Sequence, residues 1–71
     1  MDKSELMNRL QEIQRVLGST DREFAARLGI SHAYWVMVRT GKRRVGQKLL
    51  VGVIQGFPEL EDDAMELLRQ L

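Results

Sequence analysis

Residues 20–42 read TDREFAARLGISHAYWVMVRTGK, and this stretch predicts two short helices joined at Gly29. Thr20 followed three residues later by Glu23 is a capping box, in which each side chain accepts a hydrogen bond from the other residue's backbone amide. The earlier helix therefore begins after Thr20. It ends at Gly29, because glycine adopts left-handed backbone geometry at almost no cost. Ser31 is a favourable N-cap for the later helix.

Apolar residues in the same stretch recur at helical spacing and predict which surfaces pack together. Phe24 and Leu28 lie four residues apart on the earlier helix, and Trp35 and Val38 lie three apart on the later one. The residues that we expect to meet in this corner are Phe24, Ala25, Leu28, Ile30, Trp35 and Val38. The later helix ends at the Thr-Gly pair 40–41. All these local signals agree with one arrangement of the two helices.

Two short helices joined in this way, here over residues 20–41, are typical of a helix-turn-helix, whose second helix enters the DNA major groove. An ordinary helical hairpin with no role in DNA binding is the alternative. The pattern FAxxxGISxxYWxxVxxGK over residues 24–42 resembles the lambda-repressor/Cro family, also called the xenobiotic-response-element helix-turn-helix family. That family's familiar pattern is LAxxxGISxxYLSxIExGxR. The resemblance implies that residues 1–71 form a single all-α DNA-binding domain, a compact bundle of about five short helices with a recognition helix at about 31–40.

Charges are unevenly distributed along the chain, although the net charge is only +1. No aspartate or glutamate occurs between Phe24 and Pro58. The cations of that segment are Arg27, Arg39, Lys42, Arg43, Arg44 and Lys48. A segment without carboxylates, centred on the expected recognition helix, favours a surface that lies against phosphates. A merely solvated basic loop is the alternative, and the acidic segment 59–71 should face away from DNA.

Composition narrows the remaining classes of protein. A chain of 71 residues forms one small domain of modest stability. Cysteine is absent, so neither disulfides nor a cysteine-based zinc site can supplement the core. Apolar runs are too short for a membrane span, no secretory signal is evident, and no catalytic or metal cluster converges. We therefore expect a cytoplasmic bacterial or phage protein that is not an enzyme and needs no cofactor, metal or small-molecule ligand.

The rest of the chain predicts three more helices, separated by glycines. We expect the first helix at about 4–17, the fourth at about 47–55 and the fifth at about 61–70. Their inward residues should be Leu6, Leu10, Ile13 and Leu17 in the first, Leu49, Leu50, Val53 and Ile54 in the fourth, and Leu60, Ala64, Leu67 and Leu71 in the fifth. Gly52 lies inside the fourth helix, where glycine costs about 1 kcal/mol relative to alanine. We therefore expect a close backbone contact at Gly52.

The fifth helix carries a wider apolar arc than one core contact requires. Met65 and Leu68 extend the arc beyond the inward stripe, whereas a single contact needs a stripe of only about 100°. The resemblance implies a homodimer formed through the C-terminal region, which would place two recognition helices roughly 34 Å apart. The alternative is that Met65 and Leu68 simply wrap around a small core.

The resemblance also implies which residues contact DNA. With Trp35 and Val38 turned inward, the outward side of the later helix should read base edges through His32, Ala33, Val36 and Met37. Candidate phosphate contacts are Tyr34, Arg39, Thr40, Lys42, Arg43, Arg44 and Lys48. The apolar members of this face can contact thymine methyl groups, so DNA shape and thymine contacts should matter more than paired hydrogen bonds. A solvated His32 and a Tyr34 that only packs are the alternatives.

Three departures from the family pattern affect this interpretation. Asp21 stands where the family often has a glutamine that touches the DNA backbone, and its carboxylate would repel a phosphate. Arg39 replaces the usual glutamate, which should remove an internal ion pair and add a cation. Val45 and Gly46 stand where a proline is often found.

These observations predict a sequence-specific transcriptional regulator, a small dimeric repressor that binds a palindromic site in double-stranded DNA. The alternative is a protein-interaction module with the same fold, such as an antitoxin or an anti-repressor. The apolar patch of Ala33, Val36 and Met37 would suit a groove on another protein nearly as well as thymine methyl groups.

Overall fold

The computed structural model describes all 71 residues as an all-helical bundle without strands. Its helices are α1 (Lys3–Leu17), α2 (Asp21–Leu28), α3 (His32–Arg39), α4 (Gln47–Gly56) and α5 (Glu61–Arg69), and a short 3-10 turn (Pro58–Leu60) precedes α5. The prediction of a compact all-α domain is confirmed, and the predicted helix boundaries agree to within a residue or so. None of these helices combines the length and the apolar character that crossing a membrane requires.

Side-chain caps define the starts of the first three helices. The Thr20 hydroxyl accepts a hydrogen bond from the Glu23 amide at 3.1 Å, and the Glu23 carboxylate accepts one from the Thr20 amide at 2.9 Å. Ser31 caps α3 in the predicted way. Gly29 has a φ of 69° and ends α2, as its left-handed preference predicts. A second capping box at Asp2, which sequence reasoning missed, starts α1.

The core is built around three aromatic rings. Phe24 lies between Trp35 and Phe57, with ring centroids 4.9 Å and 5.4 Å apart respectively. All of the residues expected at the α2–α3 corner are buried, and so are Leu6, Leu10, Leu49, Leu50, Val53, Leu60, Ala64 and Leu67. Ile13 and Ile54 are partly buried at the edge of the core. Phe57 and Val45 are also buried, although neither was expected there.

Two predicted core positions are wrong. Leu17 is 50% exposed and Leu71 is 57% exposed. Each residue continues the apolar spacing of its helix, but Leu17 is the last residue of α1 and Leu71 lies beyond the end of α5. Both therefore extend past the core, and in α1 the buried stripe turns to include Met7 instead.

Helices α2 and α4 approach each other at backbone distance. A Cβ atom at Gly52 would overlap the backbone carbonyl of Leu28, and one at Gly56 would lie 2.6 Å from the carbonyl oxygen of Arg27. The expected close contact at Gly52 is thus confirmed. Arg27 closes this contact, because its Nε donates to the Gly56 carbonyl at 3.1 Å and its guanidinium lies 4.2 Å from the centroid of the Phe57 ring.

Candidate nucleic-acid interface

Helix α3 has one buried side and one side that faces outward. Trp35 and Val38 are buried. At about 100° per residue, Ala33, Val36 and Met37 lie on the side opposite to them. Ala33 is exposed and the other two are half-buried. His32 is exposed at the N-terminal edge of this side, and the exposed Thr40 caps its C-terminal end. The structure therefore brings the expected base-contact residues together on one apolar face.

The basic loop after α3 is anchored at both ends. At its start, the amides of Lys42 and Arg43 both donate to the carbonyl of Met37, at 2.8 Å and 3.1 Å. At its end, the Val45 side chain is buried in the core. Lys42, Arg43 and Arg44 are exposed between these two points. Val45 thus gives the loop an attachment where the family pattern often has a proline, and the loop holds its cations beside α3.

Tyr34 gathers two of these cations on one flank of α3. Its ring is partly buried against the core. The guanidinium carbon of Arg43 lies 5.7 Å from the ring centroid, and the Lys48 ammonium lies 5.3 Å from it. Cations at such distances are attracted to the face of an aromatic ring. We call Tyr34, Arg43 and Lys48 the Tyr34 cluster, which unites residues from α3, the loop and α4.

The start of α4 adds positive character beside the Tyr34 cluster. Its N-cap is Gly46, which offers no side-chain hydrogen bond, and its first turn contains no acid. The first amides of a helix lack partners inside it and favour anions. Lys48 lies in this first turn, so the ammonium and the helix terminus carry charge of the same sign.

The opposite flank of α3 differs from the expectation. Arg39 Nε donates to Asp21 Oδ1 at 2.9 Å, and Arg39 Nη2 donates to Asp21 Oδ2 at 2.7 Å. The expectation that Arg39 removes an internal ion pair is wrong, because Asp21 at the start of α2 lies within reach of the last turn of α3. Arg39 therefore forms a bidentate ion pair with Asp21. Its charge is thus not left unpaired for the phosphate contact that was expected.

Two further side chains complete a network around Asp21. Gln14 of α1 donates to Asp21 Oδ1 at 2.9 Å, and the indole nitrogen of Trp35 donates to the same oxygen at 3.1 Å. The indole also lies 3.1 Å from Gln14 Oε1. We call Gln14, Asp21, Trp35 and Arg39 the Asp21 network, which joins α1, α2 and α3. Sequence reasoning missed Gln14, because a polar residue on α1 carries no signal of a partner on another helix.

The network shifts the acid–base equilibrium of its central carboxyl. The hydrogen bonds from Arg39, and then from Gln14, lower the pKa of Asp21 to about 2, while burial opposes this shift. The side chain of Asp21 is 24% exposed and that of Arg39 is 31% exposed. The pair is therefore largely shielded, but it reaches the surface along the edge of α3.

Acid should weaken the fold through Asp21. A lowered pKa in the folded state stabilises the protein above the unfolded pKa near 4, and the gain is lost as the pH falls towards 2. The whole contribution is about 2 kcal/mol. Asp21→Asn should lower the free energy of urea unfolding at pH 7 and flatten its decline between pH 4 and 2. Glu66→Gln, on the exposed side of α5, is the control. If Asp21→Asn declined as steeply as the parent chain, this account would be refuted.

The two dimer candidates on α5 occupy different environments. Met65 is 40% exposed, and the residues around it on the surface are Glu61, Asp62, Glu66 and Arg69. Leu68 packs against the core instead, so part of the wide apolar arc is explained by core packing. In a two-fold dimer the same patch meets itself, and antiparallel α5 helices centred on Met65 would bring Arg69 of one copy near Glu61 of the other.

The candidate interface is thus the outward face of α3, with the Tyr34 cluster along one edge, the Asp21 network along the other, and the basic loop at its C-terminal end. Comparisons with protein-family models, with curated proteins and with solved structures find no match for this chain. A functional interpretation therefore depends on the chemistry of this surface.

Proposed function

We propose that this chain is a sequence-specific DNA-binding regulator of the lambda-repressor/Cro type. In this proposal α2 and α3 are the helix-turn-helix, and α3 is the recognition helix in the major groove. One observation carries the proposal: the outward face of α3 is bordered by exposed cations that have no acid among them. The cations are Lys42, Arg43, Arg44 and Lys48, all exposed.

Shape and charge together favour a nucleic acid. The major groove admits one α-helix, and neighbouring phosphates then face the residues that border that helix. Arg43 and Lys48 stand beside Tyr34, where they would bind phosphates and set the orientation of α3. Between these borders, Val36 and Met37 would contact thymine methyl groups, and His32 would supply a polar contact.

We further propose that a homodimer binds a palindromic site. Two copies related by a two-fold axis would place their α3 helices roughly 34 Å apart, in successive major grooves. Antiparallel α5 helices that meet at Met65 would place Arg69 of one copy near Glu61 of the other. The charges of this surface are therefore compatible with a dimer that uses Met65.

A protein-interaction module remains the second candidate. The observation that favours it is the composition of the outward face, since Ala33, Val36 and Met37 offer apolar contact with few hydrogen-bonding groups. An antitoxin or an anti-repressor would use such a patch in a groove on another protein. Ionic strength separates the two functions, because binding to phosphates weakens steeply with salt and apolar contact does not.

Selection from random DNA duplexes at two salt concentrations tests the proposal. The expected result is recovery of a palindromic sequence, with affinity that falls strongly as salt rises. Arg43→Ala should then weaken binding to the recovered duplex about fivefold near 0.15 M salt and reduce the slope of log affinity against log salt by about 1.

Arg9→Ala is the matched control for this measurement. It removes the same charge from the exposed side of α1, outside both the candidate interface and the Met65 surface, so the salt slope should be retained. An unchanged slope in Arg43→Ala would remove Arg43 from the phosphate contacts. Failure of the parent chain to bind any duplex, combined with salt-insensitive binding to a protein, would favour the interaction module.

A further inference from the structure

The Asp21–Arg39 pair lies at the edge of the proposed DNA surface. Arg39 is seven residues after His32, almost two full turns of helix, so both residues lie along one edge of the outward face of α3. Val36 lies between them on the same strip. A phosphate that approaches this edge meets the partly exposed pair, with 24% of the aspartate side chain and 31% of the arginine side chain accessible.

The guanidinium of Arg39 is held by the carboxylate of Asp21. Two nitrogens of the guanidinium donate to the two carboxylate oxygens, at 2.9 Å and 2.7 Å, an arrangement that fixes the plane of both groups. Asp21 is the one acid of the network, and without Arg39 its carboxylate would present a full negative charge to DNA at this edge. Gln14 and Trp35 donate to this carboxylate but carry no charge.

We propose that Arg39 is a positioning residue for DNA binding, which neutralises Asp21 and holds the last turn of α3 against the first turn of α2. This inference rests on the proposed function. In this role Arg39 neutralises the Asp21 carboxylate and does not bind DNA itself. Phosphates on this flank therefore meet a neutral pair. The flank with the Tyr34 cluster then supplies the net positive charge.

A double-mutant cycle on the recovered duplex separates the indirect role from a direct phosphate contact. If Arg39 acts through the carboxylate, Arg39→Gln weakens binding three- to tenfold, roughly the effect of one uncompensated charge near a phosphate. In the double variant Asp21→Asn/Arg39→Gln this edge stays neutral, as it is in the parent chain, so affinity returns to within about twofold of the parent value. The salt slope of the double variant then equals that of the parent chain.

A direct contact gives a different pattern. The double variant would then bind about fivefold more weakly than the parent chain, with a salt slope reduced by about 1, and this result would overturn the inference. The double variant leaves no unpaired charge, so it folds more readily than Arg39→Gln alone, and circular dichroism at the assay temperature confirms that each variant is folded. If the parent chain bound no duplex, the proposed function itself would fail, which is a distinct outcome from weakened binding by the double variant.

Discussion

Gly52→Ala should destabilise the fold by about 3 kcal/mol, near the upper end of the usual cost of overpacking. The added methyl would overlap the backbone carbonyl of Leu28, and a backbone group cannot rotate away as a flexible side chain can. Helix propensity alone predicts the opposite sign, because alanine is favoured over glycine inside a helix by about 1 kcal/mol. The substitution therefore sets the α2–α4 contact directly against local preference.

Urea unfolding followed by circular dichroism measures this effect. The total stability of a domain of this size is about 4–11 kcal/mol, so a loss of this magnitude shifts the midpoint substantially. Gly46→Ser is the control, since a side chain at Gly46 meets open space and serine is a good N-cap. It should leave stability unchanged or raise it slightly. Equal or greater stability of Gly52→Ala would show that α2 and α4 can separate at little cost.

The α2–α3 corner could be predicted from sequence because its signals are local. Thr20 and Glu23 are three residues apart, and both form the expected hydrogen bonds. Gly29 and Ser31 each determine a backbone conformation within a residue or two of themselves. Such signals do not depend on how distant helices pack, so the sequence alone carries them.

The Asp21 network could not be predicted, because its members come from three helices. Gln14 and Arg39 lie 25 positions apart in the chain, and nothing in the spacing of either residue indicates a shared partner. The family pattern even indicated that replacing glutamate by Arg39 would remove an ion pair. The structure instead places the acid on α2, at Asp21, and the ion pair is formed from residues on different helices.

The extent of the core could also not be predicted fully from the sequence. Apolar spacing assigned Leu17 and Leu71 to the buried stripes of the first and fifth helices, but spacing does not show where a small core ends. Conversely, Val45 and Phe57 lie between helices, where no periodicity applies, and both are buried. Val45 matters for the candidate interface, since it anchors the loop that carries Arg43 and Arg44.

The two borders of α3 now have different physical roles. On one side, Arg43 and Lys48 keep exposed charge close to Tyr34, where it is available to an anion. On the other side, Arg39 and Asp21 cancel each other's charge. If α3 lies in a DNA major groove as proposed, phosphate contacts to the Tyr34 cluster would therefore contribute most to its orientation.

Trp35→Ala should be the most damaging substitution on α3, with a loss of about 4 kcal/mol. Trp35 is fully buried, packs on Phe24 with ring centroids 4.9 Å apart, and donates from its indole to the Asp21 network. Alanine would remove both the core contact and the polar one. At the lower end of the stability expected for a domain of this size, a loss of this magnitude would leave much of the variant population unfolded near 37 °C.

Trp35→Phe separates the two contributions, because a phenyl ring fills most of the same space but cannot donate a hydrogen bond. Its expected loss is about 1–2 kcal/mol. Far-UV circular dichroism in urea is the suitable probe, since Trp35 is the only tryptophan and both substitutions abolish its fluorescence. A Trp35→Phe loss as large as that of Trp35→Ala would mean that the indole hydrogen bonds, rather than the packing on Phe24, hold α3 in place. The expected smaller loss would show that packing of Trp35 in the core fixes most of the position of α3. The same buried side chain would then also determine how the outward face of α3 is oriented.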